Sequence, residues 1–222
     1  MCHRYIQTSD MSSLQRSLAF SNALDLSPRH NIRPSQQVPV VYMLDGGNSL
    51  TTMRWGITDP SLSADLLPEY DLRRSAEDPI FDTRLQQRCL IPADGFYECE
   101  KRAASQLQPW LVTLLEDGPF CFAGIWQANA VADERPLTAY DCALLAVTDN
   151  GTIAPLANRV PVILAAQDYD AWLDPTTPMS IVTALLKPYR ESGIYCHPVS
   201  AAILQTDRDT PELAEPAQLL AA

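Results

Sequence analysis

A chain of 222 residues and 24.6 kDa fits one domain, and 46% hydrophobic content without a run of about 18 apolar residues excludes a membrane-spanning helix. The net charge of −11 argues against generic nucleic-acid binding, but it is unevenly spread: residues 1–102 hold 11 Lys and Arg against 13 Asp and Glu, residues 103–222 hold 5 against 14. No basic region followed by an apolar stretch opens the chain, so no signal peptide is expected and a cytoplasmic setting follows.

Lysine occurs only at 101 and 187, so the basic groups are nearly all arginine, whose planar fork suits phosphate. A local arginine-lined cleft and dispersed surface arginines both fit that composition. The six cysteines, at 2, 89, 99, 121, 142 and 196, form no CxxC pair and read as free thiols of a reducing compartment. With histidine only at 3, 30 and 197, neither a metal site nor another cofactor is expected.

The chain opens Met1-Cys2-His3-Arg4. A cysteine behind the initiator methionine, once freed, carries an amine of reference pKa about 7.7 to 8.0 and a thiol of about 8.5 on one carbon. The amine condenses with an aldehyde to an imine, and the thiol then closes a five-membered thiazolidine. An incidental residue at a frayed terminus is the other reading of Cys2.

Residues 11–27 predict a weak helix ended by Ser27-Pro28, and residues 30–36 (HNIRPSQ) predict a polar loop in which Asn31 could cap a turn. Val38 to Leu44 and Leu50 to Ile57 predict strands joined by a hairpin at Asp45-Gly46-Gly47-Asn48. Residues 58–83, rich in Pro, Asp and Ser, predict a long surface loop. Arg88 to Glu98 has an apolar entry, a turn at Pro92 to Gly95 and an aromatic exit. Further strands are predicted over 110–115, 120–126, 142–148, 160–164 and 194–199, and helices over 167–173 and 179–189. The expected fold is α+β: a single domain over 1–205 with a mixed, barrel-like sheet and a few helices, then an acidic tail over 206–222.

Several stretches, in order, together carry a family likeness: MCHR, HNIRPSQ, the Arg54-Trp55-Gly56 triplet, RCLIPADGFYE, FAGIWQ, NGTIAPLANRVPVIL and HPVS. The chain resembles the SOS response-associated peptidase family, the SRAP or abasic-site processing proteins. The resemblance implies a protein that frees its cysteine by removing what precedes it, then traps abasic sites in single-stranded DNA as a thiazolidine crosslink. Cys2 matches the nucleophile and Glu98 the catalytic glutamate, which would move protons as the sugar opens and the carbinolamine dehydrates.

Arg4, Arg73 and Arg159 match phosphate-contacting arginines, and Trp55 matches an aromatic residue against the DNA, a mode of binding that needs no base readout. A core role for Trp55 and a surface role for Arg73 stand beside these readings. Asn31 falls in the family's polar DNA-binding loop.

Two positions depart from the family pattern. The histidine of HxRxP is Ala157 here, and the asparagine before the arginine motif is Asp71, a carboxylate that would repel phosphate unless an arginine neutralises it. Both an abasic-site crosslinking enzyme and a catalytically impaired relative that binds DNA or protein through the same cleft therefore remain in view. A general cysteine peptidase fits poorly, because no histidine lies in a recognisable partner motif.

Overall fold

The computed structural model describes residues 3–59, 63–74, 81–102, 106–116, 118–128, 140–148, 151, 153 and 156–219. Two sheets dominate. The first contains β1 (Arg4–Gln7), β2 (Arg29–Ile32), β9 (Gly95–Lys101), β10 (Leu107–Leu114) and β15 (Ile194–Pro198), in the order β15-β10-β9-β1-β2 and antiparallel throughout.

The second sheet contains β3 (Gln37–Leu44), β4 (Gly47–Trp55), β8 (Arg88–Ala93), β11 (Phe120–Ala128) and β12 (Tyr140–Thr148). Its path runs β12-β4-β3-β8-β11, and β11 pairs back onto β12, so these five strands close into a barrel. Closure removes the exposed edges of an open sheet. Three short strands extend the barrel: β7 (Glu69–Asp71) and β13 (Arg159–Pro161) pair with β12, and β14 (Ile163–Leu164) pairs with β11. A separate hairpin joins β5 (Ile57–Asp59) to β6 (Ser63–Leu67).

Local chemistry explains most of these elements. At the β3–β4 hairpin both turn residues take positive φ, 50° at Asp45 and 82° at Gly46, the two-residue turn whose twist matches the strands it joins. At the end of β4, Gly56 has φ 125°, and a Cβ there would lie 2.4 Å from Leu66 Cγ, which accounts for glycine after Trp55.

Helix α1 (Met11–Leu18) is capped by Asp10, which accepts from the Ser13 amide at 2.8 Å, and buries Leu14 and Leu18. It ends earlier than the sequence predicts, because Ala19 turns left-handed and Asn22 then exchanges hydrogen bonds with the Leu50 backbone, drawing the chain along β4. Helices α2 (Phe81–Arg84), α3 (Tyr169–Leu173) and α4 (Met179–Ala184) are short.

Two predicted loops are partly strands. The 30–36 stretch begins in β2, an edge strand whose His30 and Asn31 amides both donate to the Asp209 carboxylate, a partner far away in sequence. The 58–83 stretch contributes β6, β7 and α2, with buried Tyr70 stacked on Phe81 at 5.5 Å. The segment beyond 205 packs on the domain: Leu213 is buried in a second apolar cluster with Ile6, Tyr97 and Leu111, and Val199 bridges to Pro216. No helix among the described residues is long and apolar enough to cross a membrane.

Candidate functional site

The two sheets meet through aromatic side chains. Tyr5 of β1 and Phe96 of β9 each lie edge-on to Phe122 of β11 at 5.8 Å, and Tyr5 lies 5.1 Å from Trp55 of β4. Alternation along β9 carries the next side chain on the Phe96 face, Glu98, toward this junction. Glu98 is completely buried and lines a small cavity with His3, Tyr5, Trp55, Phe96 and Pro161. A carboxyl group so enclosed is rare in a core that serves packing alone. Cys2, the expected nucleophile, lies outside the described residues; His3, its chain neighbour, is at the cavity wall.

Next to His3 runs a chain of ionic groups. His3 Nε2 is 3.4 Å from Glu69 Oε2, and Arg159 bridges Glu69 at 3.1 Å and Asp71 at 2.9 Å. Arg73 completes the set, 2.7 Å from Asp71 through Nη2. The topology makes this arrangement: Ala146 of β12 is the register partner of both Asp71 and Pro161, so β7 and β13 flank one strand. Hydrogen bonds from Arg73, with a further one from Arg159, hold the Asp71 carboxyl well below the usual carboxylate range, although its burial opposes them. The carboxylate expected to repel phosphate is therefore neutralised from two sides. Two arginines and two carboxylates nearly cancel here.

Arg4, on β1, is tied down differently. Its guanidinium donates to Asn31 Oδ1 at 2.6 Å and to the Leu204 carbonyl at 3.4 Å. Asn31 is 2% exposed, and its amide donates to the carbonyls of Thr206 and Arg208. An Asn31 contact with DNA does not fit this position, because the side chain is enclosed and clips β2 to the C-terminal segment. Trp55 needs the same correction. It is 1% exposed and donates to the Pro68 carbonyl at 2.7 Å, so its ring has no free face on which a base could stack. Of the two arginines that share Asp71, Arg73 has the more open side chain, 60% exposed against 33% for Arg159.

Four of the five remaining thiols are poor competitors for Cys2. Burial pushes the Cys89, Cys121, Cys142 and Cys196 thiols up, away from the thiolate form. Among the described residues no group of three or more His, Cys, Asp or Glu side chains is arranged to hold a metal ion. A larger cavity of about 460 Å³, lined by Phe120, Ile163, Tyr169, Lys187 and Tyr189, shares no lining residue with the Glu98 cavity. It offers no buried carboxylate or thiol, so the smaller cavity is the better candidate for chemistry. His3 and Glu69 are the site residues that sequence reasoning missed. The third letter of MCHR was the only signal for one, and for the other only its two-residue spacing from Asp71.

A family model described as SOS response associated peptidase (SRAP) matches residues 1–206. The chain is 27% identical to the abasic site processing protein YoqW of Bacillus subtilis (strain 168) over 97% of this chain and 99% of that protein. It is 23% identical to the abasic site processing protein HMCES of Pongo abelii, over 87% of this chain and 66% of that protein. Among solved structures, a phage-related protein from Bordetella bronchiseptica matches with TM-score 0.74 and 25% identity, covering 89% of this chain and 94% of the other. A Bacteroides thetaiotaomicron protein shares the fold with TM-score 0.80 at 15% identity, covering 98% and 100%.

Proposed function

We propose, from the premise that the chain belongs to the SOS response-associated peptidase (SRAP) family, that it processes abasic sites in DNA by forming a covalent adduct through Cys2. The observation that carries this reading is the fully buried Glu98 in a cavity walled by His3, the residue that follows Cys2. The curated relatives, named as abasic site processing proteins, support the substrate class. Removal of Met1 by self-processing frees the Cys2 amine, which adds to the open-chain aldehyde of an abasic sugar. Glu98 relays protons as the carbinolamine forms, the imine follows, and the thiol closes the thiazolidine.

Single-stranded DNA is the favoured form, because an abasic sugar must reach the residue that precedes His3, and His3 itself lines the cavity at the sheet junction. Arg73 and Arg159 supply phosphate contacts, with Arg4 nearby. The setting is the cytoplasmic DNA-damage (SOS) response. The test is denaturing electrophoresis of protein verified by intact mass to begin at Cys2, after mixing with uracil-excised single-stranded DNA. An adduct absent from Cys2→Ala is expected, and one that survives Cys2→Ala would overturn the reading. A second reading, a binding module without crosslinking, draws on Ala157 in the family's histidine position; it is favoured if wild-type protein binds single strands yet forms no adduct.

A further inference from the structure

We propose that His3 is the proton donor of this site and that Glu69 holds its ring in place. The inference rests on the aldehyde-trapping reading above. Of the three histidines, His197 bonds the Ala214 carbonyl on the outer strand β15, and His30 sits on the edge strand β2. His3 alone among them lines the Glu98 cavity. Its Nε2 is enclosed and faces Glu69 at 3.4 Å, while Arg159 holds the other oxygen of that carboxylate at 3.1 Å. Glu69 therefore acts as a positioning residue, fixed from its far side. The backbone at His3 has φ 37°, which glycine would adopt more easily, so a bulky ring is kept there against a local strain.

The ring follows Cys2 directly, within reach of anything joined to the Cys2 amine. In the proposed step the amine has added to the aldehyde carbon, giving a carbinolamine. His3 as imidazolium gives its proton to the carbinolamine hydroxyl, the C–O bond breaks, and water leaves as the nitrogen lone pair forms C=N. The neutral ring then takes the Cys2 thiol proton. The thiolate adds to the same carbon, forming C–S and returning the C=N pair to nitrogen. One water leaves for each thiazolidine, His3 is again an imidazolium, and no oxidant or reductant is needed. Glu98, which lines the same cavity, serves the earlier addition step.

His3→Gly tests the role, because the residue's φ suits glycine and the fold should persist. With protein verified to begin at Cys2 and uracil-excised single-stranded DNA, single-turnover adduct formation should fall on the order of 10²-fold. Added imidazole should restore part of the rate to His3→Gly and leave the wild type unchanged. Adduct formation at the wild-type rate, or a slow variant that ignores imidazole, would remove His3 from the mechanism while leaving Cys2 trapping intact. A wild-type protein that forms no adduct would remove both readings.

Discussion

Arg159 is bonded to Asp71 through Nη1 at 2.9 Å, so the guanidinium proposed to contact phosphate already has an internal anion. Arg73 shares that carboxylate. A phosphate approaching either arginine would compete with Asp71 for it, and the attraction felt outside the protein is weaker than the arginine count suggests.

Asp71→Asn should therefore tighten single-stranded DNA binding, by about fivefold if about 1 kcal/mol of attraction is released. The salt dependence should steepen, with the slope of log affinity against log salt rising by up to about one. Fluorescence anisotropy at two salt concentrations measures both. Weaker binding would mean that Asp71 orients the arginines more than it neutralises them.

The same carboxylate sets a pH dependence. Hydrogen bonds from Arg73 and Arg159 lower its folded-state pKa beneath the unfolded value of about 3.9, so its stabilising effect is complete above that range and is lost as pH falls through the folded value. The stability difference between wild type and Asp71→Asn should be largest near neutral pH and shrink steadily below about pH 4. Urea midpoints across that range give the comparison, and a constant difference would contradict the ion-pair account.

Trp55 should matter to stability and not to DNA. Trp55→Ala is expected to cost about 3 to 5 kcal/mol, whereas Trp55→Phe loses mainly the bond to Pro68 and about 1 to 2 kcal/mol. Chemical denaturation reads both. Trp55→Phe should bind single strands as the wild type does, and a loss of affinity at unchanged stability would place the ring against DNA after all.

Glu98→Gln keeps the shape of the buried side chain and removes its acid-base capacity. Adduct formation should slow by roughly 10² to 10⁴ with single-strand affinity retained, as rapid-quench assays and anisotropy can show. An unchanged rate would confine Glu98 to packing.

The C-terminal segment offers a structural test. Asp209 accepts the His30 and Asn31 amides, so Asp209→Ala leaves two edge-strand donors without this partner and should cost about 1 to 3 kcal/mol. Limited proteolysis should then cut faster beyond Leu204. Equal cutting would show that the segment is held mainly by Leu213 and the bridge at Pro216.

The barrel was legible where turn chemistry is local. Asp45-Gly46 announces its own hairpin, and the apolar runs of β8, β11 and β12 announce buried strands. Strand β2 was not legible, because a polar RHNI becomes a strand only through β1 on one side and Asp209 on the other. The site followed a similar division. Glu98 stood out within RCLIPADGFYE, yet its burial follows from Phe96 two residues earlier and from a second sheet that no local pattern shows. The buried place of Trp55 and the pairing of His3 with Glu69 likewise depend on residues brought together across the fold.

Strand β1 sits in the middle of its sheet, between β9 and β2, and Arg4 at its start reaches the carbonyl of Leu204. A chain built this way cannot finish its beginning early. During synthesis, at about 5 to 20 residues per second, β1 waits several seconds for β9 to emerge and longer for the segment that anchors Arg4. Throughout that interval β1 hangs free of the sheet that will later hold it on both sides. The self-processing proposed for Met1 cannot begin before Glu98 of β9 has emerged, and a slow or stalled ribosome would lengthen that wait.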